Sequence, residues 1–235
     1  MREIITSTEN LRVKKWKKLL SKKGRKEFNQ FLIEGKNSIK EAMSAGFVKE
    51  IITTNENYEG ILVTPAIIKK ITGSENPQDI VAVCSLPTEK PIKDRILVLR
   101  NIQDPGNVGT LIRTAKSFGF SDVIVQGADP YSDKSLRSSQ GAIFHINIIY
   151  TKEAINYIKE LPNIIATLLD KKAKPFNKLK PKEPFALVMG NEGKGIDLEI
   201  KKICTEKIYI PINFESLNVA VAGGIIMNEY KKIEN

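Results

Sequence analysis

The chain has 235 residues, 41% of them hydrophobic and 27% charged, and its net charge of +10 favours a polyanionic partner, most often a nucleic acid. This is the composition of a soluble globular protein of one or two domains, and the absence of a run of about 18 apolar residues or a signal peptide argues against a membrane span and favours a cytoplasmic location. One histidine and two distant cysteines, Cys84 and Cys204, argue against a zinc site and against a disulfide.

The first 30 residues are strongly basic. Apolar residues at helical spacing predict a helix over residues 10–30, with lysines between them and Trp16 interleaved. A solvated, lysine-rich helix face would show the same pattern. The basic excess of the whole chain favours contact with RNA phosphates instead. The segment holds ten Lys and Arg against three Glu: Arg2, Arg12, Lys14, Lys15, Lys17, Lys18, Lys22, Lys23, Arg25 and Lys26 against Glu3, Glu9 and Glu27.

A small α/β unit is predicted next. The stretch EGKNSIKEAMSAG predicts a helix that ends at Gly46, and VKEIITT (48–54) predicts a strand. The following stretch, to about residue 86, predicts a strand, a helix that begins with a proline, and a second strand. Residues 1–90 therefore form the predicted N-terminal domain, and PTEKPIKD (87–94) has the prolines and charges of a linker.

From residue 95 onward apolar strands alternate with helical stretches. Nearly continuous apolar strands of this kind predict a parallel sheet that helices cover on both faces, with ligands bound at the carboxyl ends of the strands. The Lys- and Pro-rich segment 169–185 is interpreted as a mobile basic loop. The predicted strands are 96–102, 122–127, 144–150, 163–170, 185–190 and 207–212.

Three polar loops follow three of these strands. In QDPGNVGTLIRTAKSFGF (103–120), Asn107 is placed to cap a helix from which Arg113 projects. The glycines of MGNEGKGI (189–196) allow a sharp turn and close approach to a ligand, but the loop lacks the spacing of a phosphate-binding loop or a dinucleotide fold. In IPINFESLNVAVAGG (210–224), Ser216 or Asn218 is placed to begin a helix of small residues. Each loop alone is weak support for function.

Together the three loops resemble the SpoU (TrmH-type) family of RNA ribose 2′-O-methyltransferases in the SPOUT superfamily. The matching motifs are Asn-x-Gly-x-x-x-Arg-Thr-Ala from Asn107, Gly-x-Glu-x-x-Gly from Gly190, and Ile-Pro followed by Ser-Leu-Asn-Val from Ile210. The segment 134–148 also resembles the family, and residues 10–88 resemble the ribosomal-protein-like domain that precedes many members. Two departures are a short loop without glycine before Ser216, and Ala220 where serine is frequent.

The resemblance implies a fold, a cofactor and a homodimer. The implied fold is a C-terminal parallel-sheet SPOUT domain over residues 95–235 with a trefoil knot, which the general rarity of knots would argue against. The implied methyl donor is S-adenosylmethionine (SAM), with no metal, held by the backbone at Gly190, Ile210 and Leu217. The homodimer would form through the C-terminal domain. The helix of small residues in this domain is equally consistent with packing within the chain.

The resemblance also implies the reaction, in which a ribose 2′-hydroxyl takes the methyl group. The family proposes that the arginine matching Arg113 assists deprotonation. Because a guanidinium stays protonated in proteins, we prefer Arg113 as a phosphate clamp. Asn107 and Glu192 would orient Arg113 and the loops, and Ser216 and Asn218 would hydrogen-bond across the site. The expected target is 23S rRNA, and the alternatives are a tRNA ribose, a non-catalytic ribosome-assembly factor, or rRNA methylation that confers antibiotic resistance.

Overall fold

The computed structural model describes residues 2–170, 172–213 and 215–232, and it confirms a mixed α/β protein built on two sheets. The first sheet has five strands and ends at Ser85, and the second has seven strands and begins at Arg95. No helix in the described ranges combines the length and the apolar character needed to cross a membrane. The trefoil knot stays a prediction.

The N-terminal unit surrounds a mixed sheet. Its strands lie in the order β1-β4-β3-β5-β2, with β5 antiparallel to both β3 and β2. Helices α1 and α4 cover one face of this sheet through an apolar core that includes Trp16, Ile52 and Ile67. The elements are β1 Ile4–Ile5, α1 Leu11–Lys18, α2 Lys22–Phe28, β2 Gln30–Glu34, α3 Lys36–Ser44, β3 Val48–Thr53, β4 Ile61–Val63, α4 Pro65–Thr72 and β5 Ile80–Ser85.

The single helix predicted over residues 10–30 is wrong in its bounds and in the role of Trp16. The chain turns at Leu19–Ser21, where the Ser21 hydroxyl accepts a hydrogen bond from the backbone N–H of Gly24 and begins α2. Trp16 is 1% exposed, and its ring N–H donates to Glu50 at 2.9 Å. Trp16 is therefore a core residue that bases cannot reach, and the exposed lysines of this segment remain available to RNA.

The C-terminal unit is a seven-stranded parallel sheet in the order β10-β12-β9-β11-β6-β7-β8, which confirms the predicted parallel sheet. One face packs against α5 and α9, and the other against α7 and α8. The elements are β6 Arg95–Ile102, α5 Pro105–Ser117, β7 Asp122–Gly127, α6 Asp133–Ser139, β8 Asn147–Tyr150, α7 Ile155–Ile158, β9 Asn163–Thr167, β10 Lys174–Pro175, β11 Phe185–Met189, α8 Leu198–Ile203, β12 Glu206–Tyr209 and α9 Val219–Glu229.

Four predicted segments differ from the structure. The strand predicted over 144–150 begins only at Asn147, because Ala142–His145 forms a 3-10 helix that buries Phe144. The strand predicted over 163–170 ends at Thr167, and the one over 207–212 ends at Tyr209. The loop predicted over 169–185 contains β10 and a 3-10 helix, Phe176–Lys178, whose Phe176 packs on the core.

The two units share one apolar core. The Phe31 ring of β2 lies 5.2 Å from the ring of Tyr131 and 6.1 Å from that of Phe144, and Phe47 also contacts Phe144. Arg25 and Asp129 form a salt bridge of 2.8 Å across this boundary, with side chains 9% and 13% exposed. This seam fixes the basic helix α2 relative to the loop that follows β7.

Candidate active site

Three loops meet at the carboxyl edge of the parallel sheet. The loop after β6 leads into α5, the loop after β11 runs to α8, and the loop after β12 leads to α9. The strands β11 and β6 are neighbours and run parallel, so their carboxyl ends lie side by side. This is the edge at which open parallel sheets bind ligands.

The loop after β6 is shaped by an aspartate cap. Asp104, not Asn107 as predicted, is the N-cap of α5, and its carboxylate accepts the backbone N–H of Gly106 at 2.5 Å. Pro105 occupies the first helical position, where a missing N–H costs nothing. Asn107 thus lies inside the first turn, and its side-chain amide is available for contacts outside the helix.

The side chain of Asn107 forms hydrogen bonds with residues of the other two loops. Its amide nitrogen donates to Glu192 at 3.2 Å, and its amide oxygen accepts from the side chain of Asn218 at 3.1 Å. The Glu192 carboxylate also accepts the backbone N–H of Gln103 at 3.3 Å, and the Asn218 side chain caps α9 through Ala220 at 2.8 Å. One hydrogen-bonded network, Glu192–Asn107–Asn218, therefore connects a residue from each of the three motifs.

The glycine loop is a tight backbone hairpin. Asn191 and Gly195 exchange two backbone hydrogen bonds of 3.1 and 2.9 Å, and the Asn191 side chain donates to the carbonyl of Asn101 at 2.8 Å. A Cβ on Gly190 would lie 2.5 Å from the backbone of Gly195, while one on Gly193 would meet nothing closer than 3.7 Å. Gly190 is therefore required by close backbone approach, and Gly193 is not.

A cavity of about 540 Å³ opens beside this loop, within the range of about 300–1,000 Å³ that small-molecule sites occupy. Its walls combine apolar side chains, such as Met189, with the exposed backbone of the glycine loop. Five of the predicted site residues line this one cavity: Gly190, Glu192, Ile210, Ser216 and Leu217.

Arg113 does not line the cavity of its own chain. It lies six residues after Asn107 on α5, about 9 Å further along the helix axis at 1.5 Å per residue. Arg113 is exposed, and its guanidinium forms no hydrogen bond or ion pair with any residue in the described ranges. Glu192 and Asn107 thus orient the loops, and neither contacts Arg113.

Sequence reasoning missed Arg100, whose side chain connects β7 to the start of α8, directly after the glycine loop. Arg100 is 6% exposed and donates to Asp197 at 2.5 Å and to Gln126 at 2.6 Å. Burial alone would raise the pKa of Asp197, but the hydrogen bonds from Arg100 and from the backbone of Ile200 leave this pKa below its ordinary value. An arginine inside the apolar strand ILVLRNI was the available signal, since a buried charge needs a partner.

Lys134 is a second residue that was missed. Its ammonium lies 2.9 Å from the carboxylate of Asp104, beside Gly106. The hydrogen bonds from Lys134 and from the backbone of Gly106 hold the pKa of Asp104 below its ordinary value. Asp104 is therefore ionised near neutral pH and keeps capping α5.

Comparison with known proteins identifies the family. The model of the SpoU rRNA Methylase family matches residues 94–228, which is more than half of the chain. The chain belongs to this family. A model named MRM3-like substrate binding domain matches residues 10–82, so the N-terminal unit also has known counterparts.

Individual relatives are similar over nearly the whole chain. A Bacillus subtilis protein named 23S rRNA (guanosine(2553)-2′-O)-methyltransferase RlmP is 39% identical over 95% of this chain and 97% of its own length. The AdoMet-bound rRNA methyltransferase of Sinorhizobium meliloti superimposes with a TM-score of 0.84 at 27% identity, over 97% of this chain and 96% of that one. The TrmH/SpoU tRNA modifying enzyme of A. aeolicus matches only 60% of this chain and 75% of its own, with a TM-score of 0.54 and 31% identity.

Proposed function

We propose that this protein is a SAM-dependent methyltransferase that methylates a ribose 2′-hydroxyl of 23S rRNA. The observation that carries the proposal is the Glu192–Asn107–Asn218 network, which assembles the three family motifs around one cavity. The similarity to RlmP over 95% of this chain supports 23S rRNA as the substrate. The tRNA enzyme, by contrast, matches only 60% of this chain.

The cavity fits SAM in size and in chemistry. Apolar side chains including Ile210 and Leu217 suit an uncharged adenine, and Gly190 presents its backbone N–H and C=O at the cavity wall. Gly190, Ile210 and Leu217 are the residues assigned to the cofactor. When bound, SAM would supply an electrophilic methyl group on a positively charged sulfur, which a ribose 2′-oxygen attacks with S-adenosylhomocysteine as the leaving group.

The chain's own task is to place the ribose and to stabilise charge on its oxygen. Arg113 carries a permanent positive charge on a helix whose first turn belongs to the site, and it is unpaired among the described residues. We assign it to an RNA phosphate and to the negative charge that develops on the 2′-oxygen. Because the guanidinium stays protonated, Arg113 does not take the hydroxyl proton, which leaves through water or a neighbouring group. The Ser216 hydroxyl lines the same cavity and is assigned to hydrogen bonding across the site.

A second copy of the chain is proposed to complete the site. Arg113 is not among the residues that line the cavity of its own chain, which supports the proposal that another copy brings it to a bound cofactor. Three apolar side chains, Leu217, Val221 and Ile225, are 37%, 52% and 37% exposed and recur every fourth residue at the start of α9 and along it. The small residues of α9 serve the chain itself, since Gly223 packs on Leu111 of α5. The exposed row is thus available for an isologous dimer.

The N-terminal unit is proposed to bind the RNA substrate as a domain of residues 1–90. Lysines of α1 and α2 are exposed, and Lys17, Lys23 and Lys26 form no ion pair with the residues that the structure describes. The salt bridge between Arg25 and Asp129 holds these helices against the C-terminal unit. RNA bound there is therefore kept at a constant distance from the cavity.

The reaction is tested by transfer of radiolabelled methyl groups from SAM to 23S rRNA from cells that lack this protein, followed by digestion to nucleosides. We expect label in one 2′-O-methylnucleoside. A matched reaction with tRNA is expected to stay unlabelled. Label in tRNA alone would support the tRNA alternative. RNA binding without any label would support the assembly-factor alternative.

The shared site is tested with a heterodimer of two inactive variants, Arg113→Ala and Gly190→Val, purified through a different tag on each chain. If Arg113 acts on the partner's cavity, one of the two sites is intact and about half of the wild-type activity is expected. Both homodimers are the controls and are expected to be inactive. A heterodimer without activity that still binds SAM would place both residues in the same chain's site.

A further inference from the structure

A second concave region lies at the opposite edge of the parallel sheet. It has a volume of about 590 Å³ and lies where β6 and β7 begin. We call it the amino-end hollow. Its walls include Lys93, Arg95, Lys116, Phe120, Ser121 and Lys232.

The charge of the amino-end hollow is mainly positive. Four cationic side chains line it, and the carboxylates beside them are Asp94, Glu183 and the buried Asp122, which accepts hydrogen bonds from the backbone N–H of Lys93 and the hydroxyl of Ser121. Glu183 is already shared between Arg95 at 2.7 Å and Lys232 at 3.4 Å. Lys93 and Lys116 are exposed and form no ion pair within the described part of the chain. His145 also lines the hollow, and its ring contacts Glu41 at 2.7 Å.

Arg95 is built into the floor of the hollow. Its side chain is 11% exposed and its guanidinium lies 5.8 Å from the ring centre of Phe120 and 5.5 Å from that of Phe185. Nε donates to Glu183, but Nη1 is buried and has no hydrogen-bond partner among the described residues. Because Nη1 is enclosed by protein, an anion in the hollow would interact with the positive charge of Arg95 without bonding this nitrogen.

The amino-end hollow begins one helical turn beyond Arg113. Lys116 is three residues after Arg113 on α5, and residues at this spacing are neighbours on a helix surface. The hollow is therefore adjacent to the arginine that the proposed function assigns to an RNA phosphate. An RNA strand held at Arg113 has its neighbouring phosphates within reach of Lys116.

We infer that the amino-end hollow binds backbone phosphates of the RNA strand next to the nucleotide that is methylated. This inference extends the proposed function, because it takes Arg113 as the phosphate contact of that nucleotide. Lys93, Lys116 and Lys232 supply exposed positive charge, and Arg95 adds a largely buried positive charge at the floor. The recognition is of phosphodiester groups and carries no base specificity of its own.

The test is the salt dependence of binding to a 23S rRNA transcript, measured with the full-length protein. The double variant Lys93→Gln/Lys116→Gln removes two phosphate contacts, so the slope of log K against log salt should become shallower by about 1.4, at about 0.7 per contact on a single strand. The KM for RNA should rise, while kcat at saturating RNA and SAM affinity should not change.

The matched control is Lys159→Gln/Lys202→Gln. These two lysines are exposed, form no ion pair with described residues, and lie next to α7 and on α8, which cover the other face of the sheet. The control has the same net charge as the test variant. If the two variants have the same slope, the inference is overturned, and the hollow is then open to an acidic protein partner.

Failure of the proposed function has a separate signature. A wild-type protein that binds the transcript but transfers no methyl group would contradict the proposed function. In that case, a shallower salt dependence of RNA binding in the variant Lys93→Gln/Lys116→Gln would still support the hollow as an RNA site. An active wild type with equal slopes in both variants would end only the inference. Absence of transcript binding by the wild type would end both.

Discussion

The seam between the two units and the carboxyl edge of the parallel sheet use polar groups in opposite ways. At the seam, Arg25 and Asp129 are almost fully buried among apolar residues such as Phe31 and Phe144. At the carboxyl edge, Glu192 and Asn107 are hydrogen-bonded to each other and remain accessible to solvent. Buried groups chiefly determine stability, and exposed groups that are held in place chiefly determine binding and reaction.

The largest effect is expected at the seam. Phe31 is 1% exposed and contacts Tyr131 and Phe144, so Phe31→Ala should lower the free energy of unfolding by about 3–5 kcal/mol. Denaturant titration measures this, with Leu11→Ala as control because Leu11 is 82% exposed. Equal stability of the two variants would contradict a shared core. The same contacts predict that residues 95–235 alone are less stable than the full chain.

A smaller loss of stability is expected from the ion pair of the seam. Asp129→Asn keeps the shape of the side chain but removes the charge that faces Arg25 at 2.8 Å. A hydrogen bond to a charged group contributes about 1.5–3 kcal/mol, which is the loss expected in denaturant titration. Asp133→Asn, at an exposed pair with Arg137, is the control and should change stability little. If Asp129→Asn loses no more stability than Asp133→Asn, the ion pair of the seam is solvated.

At the carboxyl edge, the expected loss is in cofactor binding. Gly190→Ala places a Cβ 2.5 Å from the backbone of Gly195, which has to shift, so SAM affinity should fall by about tenfold or more, equivalent to about 1.4 kcal/mol. Gly193→Ala is the control, because its Cβ would have 3.7 Å of space. Isothermal titration calorimetry with SAM measures the affinity of both variants. Equal affinities would mean that the cofactor does not depend on the hairpin.

The effect that is smallest near neutral pH concerns the two thiols. Burial raises the pKa of Cys84 to about 12, so the folded protein holds it as a neutral thiol at pH 8. Cys204 is only half-buried. Maleimide at pH 8 should label Cys204 in the native protein and both cysteines in denaturant, as counted by mass spectrometry. Because the raised pKa applies only to the folded state, stability should fall as pH rises from about 8.5 towards 12. Native labelling of Cys84 would show that its strand opens.

Much of the fold could be predicted from local patterns. Apolar strands separated by helices indicated the parallel sheet, and the motif spacing indicated the loops that carry Gly190, Glu192 and Ser216. The ends of helices and strands could not be predicted where tertiary packing overrides local preference. Leu19 looked like one more position of a long helix, but it is buried at the turn between α1 and α2.

The α/β class, the family and the three motif loops could be predicted from the amino-acid sequence, because they depend on spacing along the chain. Three further features required the folded structure: the hydrogen bond between Asn107 and Asn218 across 111 positions, the core position of Trp16, and the contact of Phe31 with Phe144 that joins the two units. The folded structure also brought Lys93, Lys116 and Lys232 around one hollow. Contacts between distant residues depend on how the sheets pack, and no local pattern contains that information.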